Sequence, residues 1–120
     1  MGWTYEQSTG IIRDQHGAIA GVGYSGSGAC RNRPSAQMVA KCGPIPRGFW
    51  DVLGPRDTPD CGFYVLCLQP YVDTKTFGRD LFLVYGSCFD RVPSMDRLVL
   101  PFVIRKQIWE SNSHILQVIT

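Results

Sequence analysis

Glycine and proline punctuate this chain from end to end, 13 and 8 of them in 120 residues. In a helix interior glycine costs about 1 kcal/mol and proline about 3 kcal/mol relative to alanine. A chain interrupted this often favours short strands joined by turns over a helix bundle. Its length allows one domain around one core, placed here over residues 1–120. Apolar residues make up 44% and charged residues 18%, a globular rather than disordered balance. The net charge of +2 is too small for bulk attraction to nucleic acid or an anionic membrane, so neither is expected as a partner. No run approaches the roughly 20 apolar residues of a membrane span. The first residues, Met1 to Ser8, show neither a charged n-region nor an apolar h-region, which predicts synthesis in the cytoplasm without a signal peptide.

Periodicity places the elements. Trp3 to Ser8 alternates large apolar with polar residues, the pattern of a half-buried strand. Thr9-Gly10 turns into Ile11-Ile12-Arg13, and Asp14 to Gly17 forms the next turn. A third strand is predicted over Ala18 to Tyr24, with Gly21 and Gly23 marking a bulge or a close backbone approach. Residues 25–46 lack periodicity and read as a long loop of the kind that is either functional or disordered, with a short helix around Ala36 to Ala40 in part of it. Further strands are predicted at Phe49 to Leu53, stopped by Gly54-Pro55, at Phe63 to Leu68, at Asp80 to Gly86 and at Ile115 to Ile119. Pro101 to Glu110 fits one helix with proline at its first position and Ile104, Ile108 and Trp109 on its buried side. Trp3, Trp50 and Trp109 are all expected in the core.

Chemical signals are sparse. Five cysteines (Cys30, Cys42, Cys61, Cys67, Cys88) leave at least one unpaired, and most read as small buried hydrophobes. Without a CxxC or Cys/His spacing, neither a structural zinc site nor any cofactor is expected. Cys30 and Cys88 lie among polar and small residues where a nucleophile is open. The histidines, His16 in a turn and His114 before the last strand, read as solvated turn residues rather than general bases. Asp57, Asp60, Asp73, Asp80, Asp90 and Asp96 fall on turns, which accounts for them as well as paired carboxylates do. Gly21 to Gly26 spaces its glycines suggestively, but no helix pattern follows to cradle a phosphate.

One segment is more specific: Cys42-Gly43-Pro44-Ile45-Pro46-Arg47-Gly48-Phe49-Trp50-Asp51-Val52. This Gly-Pro-Ile-Pro turn leading into a strand resembles the L,D-transpeptidase-like effectors of bacterial type VI secretion, relatives of the YkuD-type enzymes. The surrounding order resembles theirs too: Trp3-x-Tyr5, Ser8-Thr9-Gly10, Tyr24-Ser25-Gly26, Asn32 and Pro34, Arg79-x-x-Phe82, and Leu100-Pro101 before a helix with Arg105 and Ile108. The resemblance spans nearly the whole chain. It implies a mainly β, L,D-transpeptidase-like sandwich or barrel with one short helix near the C-terminus. It further implies a toxin of the cell wall, delivered into the periplasm of a target cell. Peptidoglycan stem peptide would be its ligand, and a cognate immunity or secretion protein its protein partner. In that family a cysteine thiolate forms an acyl-enzyme and a histidine on a neighbouring strand activates it.

Both groups are replaced here. The family's His-Gly strand end reads Tyr85-Gly86, and its Ser-x-Gly-Cys motif aligns with Ser94-Met95-Asp96-Arg97. Asp96 therefore takes the glycine position and Arg97 the cysteine position. Arginine stays protonated and forms no thioester, and tyrosine, with an ordinary pKa near 10, is a poor base at neutral pH. The resemblance then implies a binding surface built from Arg79, Tyr85, Gly86, Ser94 and Arg97. Arg97 would pair with a peptide carboxylate or, alternatively, with Asp96 or Asp90. Arg79 is either an internal donor to the site or a surface charge, and Tyr85 a packed strand aromatic rather than a catalytic phenol. Two readings follow. In one, the chain is a pseudoenzyme that binds peptidoglycan peptide or a protein. In the other, it is an antibacterial effector enzyme whose carboxypeptidase, transpeptidase or rebuilt activity uses Tyr85, Asp96, Arg97 and Arg79, or a displaced Cys88.

Overall fold

The structure, a computed structural model, describes residues 2–40, 42–58, 62–79, 82–86 and 96–120, with backbone alone for Thr58, Gly62, Asp96 and Arg97. It is mainly β, as the punctuation predicts. The strands are β1 (Trp3–Glu6), β2 (Ile11–Arg13), β3 (Ile19–Val22), β4 (Tyr24–Ser25), β5 (Gly48–Thr58), β6 (Gly62–Pro70), β7 (Phe82–Tyr85), β8 (Asp96–Val99) and β9 (Ile115–Ile119), with one helix, α1 (Phe102–Glu110). They form one sheet in the order β3-β2-β1-β9-β5-β6-β7-β8-β4. Its two edge strands are consecutive in the chain, separated by Gly23 alone, so the sheet curls into a nearly closed barrel.

That junction corrects the single strand predicted over Ala18 to Tyr24. Gly23 ends one pairing and starts the other: its N–H donates to Gly10 O at 2.8 Å, and a Cβ there would collide with Val99 O. At Gly21 a Cβ would run into the Ile104 side chain of α1. Both glycines thus mark close approaches.

Alternation in β1 buries Trp3 and Tyr5 and turns Thr4 and Glu6 outward. Inside the barrel these meet Ile12, Ile45, Trp50, Leu66, Phe82, Leu98, Leu116 and Val118, with the Trp50 and Phe82 rings edge to face at 4.7 Å. Helix α1 lays Ile104 and Ile108 onto this core. Its buried side carries Arg105 rather than Trp109, which is half-buried. Pro101 stands just before the helix as its cap.

Two further expectations fail locally. Strand β5 does not stop at Gly54-Pro55. Leu53 pairs with Cys67 and Arg56 with Val65, so β5 takes one extra residue there as a bulge. Proline is tolerated in such a place because no ladder N–H is needed. Between Arg56–Val65 and Thr58–Gly62 the extra residue passes to β6, where Tyr64 has φ 59°. In the 25–46 loop no helix forms at Ala36 to Ala40. Two single 3₁₀ turns, Gly28–Cys30 and Pro34–Ala36, stand there instead. Cys30 and Cys42 form a disulfide across this loop, with Cα atoms 5.5 Å apart.

Candidate functional site

The predicted site positions separate into two groups at different places on the barrel. Tyr85 ends β7 and Gly86 follows it; the strand runs parallel to β8 with Tyr85 opposite Val99 and Leu83 opposite Arg97. The Arg97 backbone thus stands two residues short of the Tyr85 level. The Tyr85 side chain is 1% exposed and packs with Val65, Leu83 and Val99, and with half-buried Tyr24 and Cys67. It is a packed strand aromatic, as expected. Ser94 and Cys88 lie outside the described residues, as do Cys61, Asp60, Asp80 and Asp90.

Beside Gly86 the structure places a buried cation that the sequence reading did not put in the site. The Arg105 guanidinium donates to Tyr64 O at 3.0 Å, Phe63 O at 3.3 Å and Leu100 O. A Cβ on Gly86 would lie 2.7 Å from Arg105 Nη1. The β6 bulge explains this arrangement. It takes Phe63 and Tyr64 out of the regular ladder, and the guanidinium supplies their carbonyls with donors. Burial pushes the Arg105 pKa below its ordinary value.

Arg79 is an internal donor, 5% exposed, but it serves the other group. It donates to Gly43 O at 2.9 Å, Pro44 O at 2.8 Å and Gln37 O. Its guanidinium carbon stands 5.4 Å from the Phe82 ring centre. The Gly-Pro-Ile-Pro turn is held from every side. Ile45 N donates to Ser25 Oγ at 2.9 Å, Ile45 O accepts from Gln7 Nε2 at 2.8 Å, and Pro46 O accepts from Trp50 Nε1 at 3.1 Å. Gly43 packs so tightly on Ala36 O that no Cβ fits.

Against this turn lies a cleft of about 310 Å³, lined by Gln37, Arg47, Gly48, Asp73, Lys75 and Phe77. Its walls are fixed. Gly48 has φ 135°, and Thr74 Oγ1 accepts from Phe49 N at 3.1 Å while donating to Phe49 O at 2.8 Å. A larger apolar cleft of about 490 Å³, with Trp3, Phe49, Tyr71 and Ile115 in its walls, opens on β1, β9 and β5.

No family model, no curated protein and no solved structure matches this chain. The site is therefore read from its own groups. Cys30 is bonded to Cys42 and carries no free thiol, which removes Cys30 as a nucleophile and sets this pair apart from the expectation that most of the cysteines are small buried hydrophobes. Cys67 is the free thiol among the described residues, half-buried under the Tyr85 cluster. His114 stacks on Trp109 at 4.0 Å and its Nε2 lies 2.9 Å from Trp109 O, so that nitrogen is committed to a carbonyl. His16 is exposed in the Asp14–Gly17 turn, where Asp14 Oδ1 accepts from the His16 and Ala18 N–H groups. Among the described residues no cluster of metal-ligating side chains forms, and no helix is long and apolar enough to cross a membrane.

Proposed function

We propose that the chain is a diverged L,D-transpeptidase-like domain of the type VI effector kind that binds peptidoglycan stem peptide and performs no acyl transfer at the β7–β8 position. The observation that carries this reading is Tyr85. Where the resemblance calls for a histidine that hands a proton to and from a thiol, a phenol is packed at 1% exposure among Val65, Leu83 and Val99. Proton transfer needs a group within hydrogen-bond reach of substrate, and a side chain enclosed this way offers none. The Cys30–Cys42 disulfide supports action in an oxidising compartment such as the periplasm, where such bonds persist.

The test is expression in a bacterial host, once in the cytoplasm and once with an added periplasmic signal, with muropeptide profiling and retention of muropeptides on the immobilised protein. The expected result is an unchanged tetrapeptide profile together with retention. Altered tetrapeptides in the periplasm would show that wall chemistry survives and overturn the binding-only reading. Growth loss from the cytoplasm alone would overturn the wall ligand in favour of a rebuilt activity.

A further inference from the structure

We infer that the cleft beside the Gly-Pro-Ile-Pro turn is a binding site for an α-amino carboxylate, the free zwitterionic end of a peptide or amino acid. This rests on the binding reading above and gives it a place and a ligand class. The first observation is Gln37, only 7% exposed. Its Oε1 is fully used, accepting from Gln7 Nε2 at 3.2 Å and from the Arg47 N–H at 3.0 Å. That fixes the amide's orientation by its bonds and leaves the two Nε2 hydrogens without a partner among the described residues, on a side chain that lines the cleft. Nε2 is not among the buried atoms that lack a partner, so it meets solvent at the cleft and is free to donate to a ligand acceptor.

The second observation is charge. Arg47, Lys75 and Asp73 line the same cleft, all exposed, and none of the three side chains makes an ion pair or hydrogen bond among the described residues. Two cations and an amide donor suit a carboxylate, with guanidinium matching it two-pronged. Asp73 adds a place for an ammonium. The volume of about 310 Å³ is at the small end for ligand sites and matches a dipeptide-sized group rather than a nucleotide. Capture of a chain terminus by a few convergent polar groups is a known recognition mode.

The site is also preformed. Gln37 is anchored through its backbone carbonyl to Arg79 and lies within the loop closed by the Cys30–Cys42 disulfide. Across the cleft, Thr74 clamps the 71–79 segment onto β5 beside Gly48. The backbone of the cleft is thus held in place, and the ordering a ligand must impose falls on the exposed Arg47 and Lys75 side chains.

The experiment is a titration of the full-length, oxidised, ¹⁵N-labelled chain with glycylglycine, glycylglycinamide and N-acetylglycylglycine. Shifts are expected at the Gln37 side-chain amide and at the Gly48 and Lys75 backbone amides. Amidation of the carboxylate should weaken binding about tenfold or more, and acetylation of the amine should weaken it less. Lys75→Glu and Arg47→Ala alter exposed side chains that make no internal bonds, so both variants should fold and lose the shifts. Equal affinity for acid and amide, or shifts confined to other regions, would overturn the assignment. Muropeptide retention separates this from the reading beneath it. If Lys75→Glu retains muropeptides as the parent does, the cleft is wrong and the binding reading stands. If the parent retains none yet takes up glycylglycine in the cleft, the wall ligand is wrong and the cleft stands.

Discussion

Two buried polar side chains show how differently single residues are treated inside this barrel. Arg79 is surrounded by carbonyl acceptors, whereas the Tyr5 hydroxyl, on a fully buried ring, has no hydrogen-bond partner among the described residues. A buried unmade hydrogen bond costs about 1–3 kcal/mol, so its removal should cost nothing. Tyr5→Phe is expected to leave stability unchanged or raise it by up to about 1 kcal/mol in denaturant unfolding; a clear loss would mean that the hydroxyl has a partner. Burial also pushes the Tyr5 pKa well above its ordinary value. Below about pH 10 both folded and unfolded chains hold the phenol neutral, and its contribution is whole. Above that pH the unfolded chain ionises first, so stability falls with rising pH, by up to about 1.4 kcal/mol per unit from this group. Comparing unfolding at pH 9 and pH 11 should show a steeper loss in the parent than in Tyr5→Phe.

At the scale of elements, the 25–46 loop is ordered by bonds that span it. The disulfide joins Cys30 to Cys42, Ser27 N donates to Cys42 O at 2.9 Å, and Asn32 N donates to Ser25 O at 2.9 Å. A cross-link closing a loop this short contributes about 3 kcal/mol, chiefly by restricting the unfolded chain. Reduction, or the pair Cys30→Ser with Cys42→Ser, should lower the unfolding free energy by an amount of that order, read as a lower urea midpoint, without changing the sheet's circular dichroism. A midpoint indifferent to reductant would mean that the bond does not form. The same loop shows what a sequence can announce. Alternation from Trp3 reports directly which side chains face the core, although the strand predicted over Trp3 to Ser8 ends at Glu6, and the last strand forms over Ile115 to Ile119 as expected. Gly54-Pro55 reads as a stop, yet β5 passes through it, because a bulge needs what glycine and proline supply and pairing with β6 supports both flanks. Arg79 was legible as a residue of interest but not in its role, since its acceptors lie 35 to 42 residues away. The Gln37 amide gave no local signal, and Arg105 entered only as part of the resemblance, with no sign that it is buried. Their meaning depends on carbonyls and clefts that exist only after folding.

For the whole molecule, one residue joins the two ends of the sheet. The chain leaves β3 at one edge and enters β4 at the other through Gly23, whose N–H is bonded to Gly10 O and whose Cα lies against Val99 O and the Leu100 side chain. A methyl group there meets backbone on a neighbouring strand, which has no room to move without separating β4 from β8. Gly17 provides the contrast. It has φ 85° but nothing within 4 Å of a built Cβ, so its cost is conformational only. Gly17→Ala should therefore destabilise by about 1 kcal/mol, and Gly23→Ala by about 3 kcal/mol or more, with the excess arising from lost closure. Hydrogen exchange distinguishes closure from general weakening. In Gly23→Ala the amides of β2, β3, β4 and β8 should lose protection first, while β5, β6 and β9 keep theirs. Uniform loss across all strands would mean that the barrel unfolds as one unit and that Gly23 is no special joint. Selective loss would show that the two edges are held together locally, and because Ile45 N donates to Ser25 Oγ on β4, the Gly-Pro-Ile-Pro turn should lose protection with that edge.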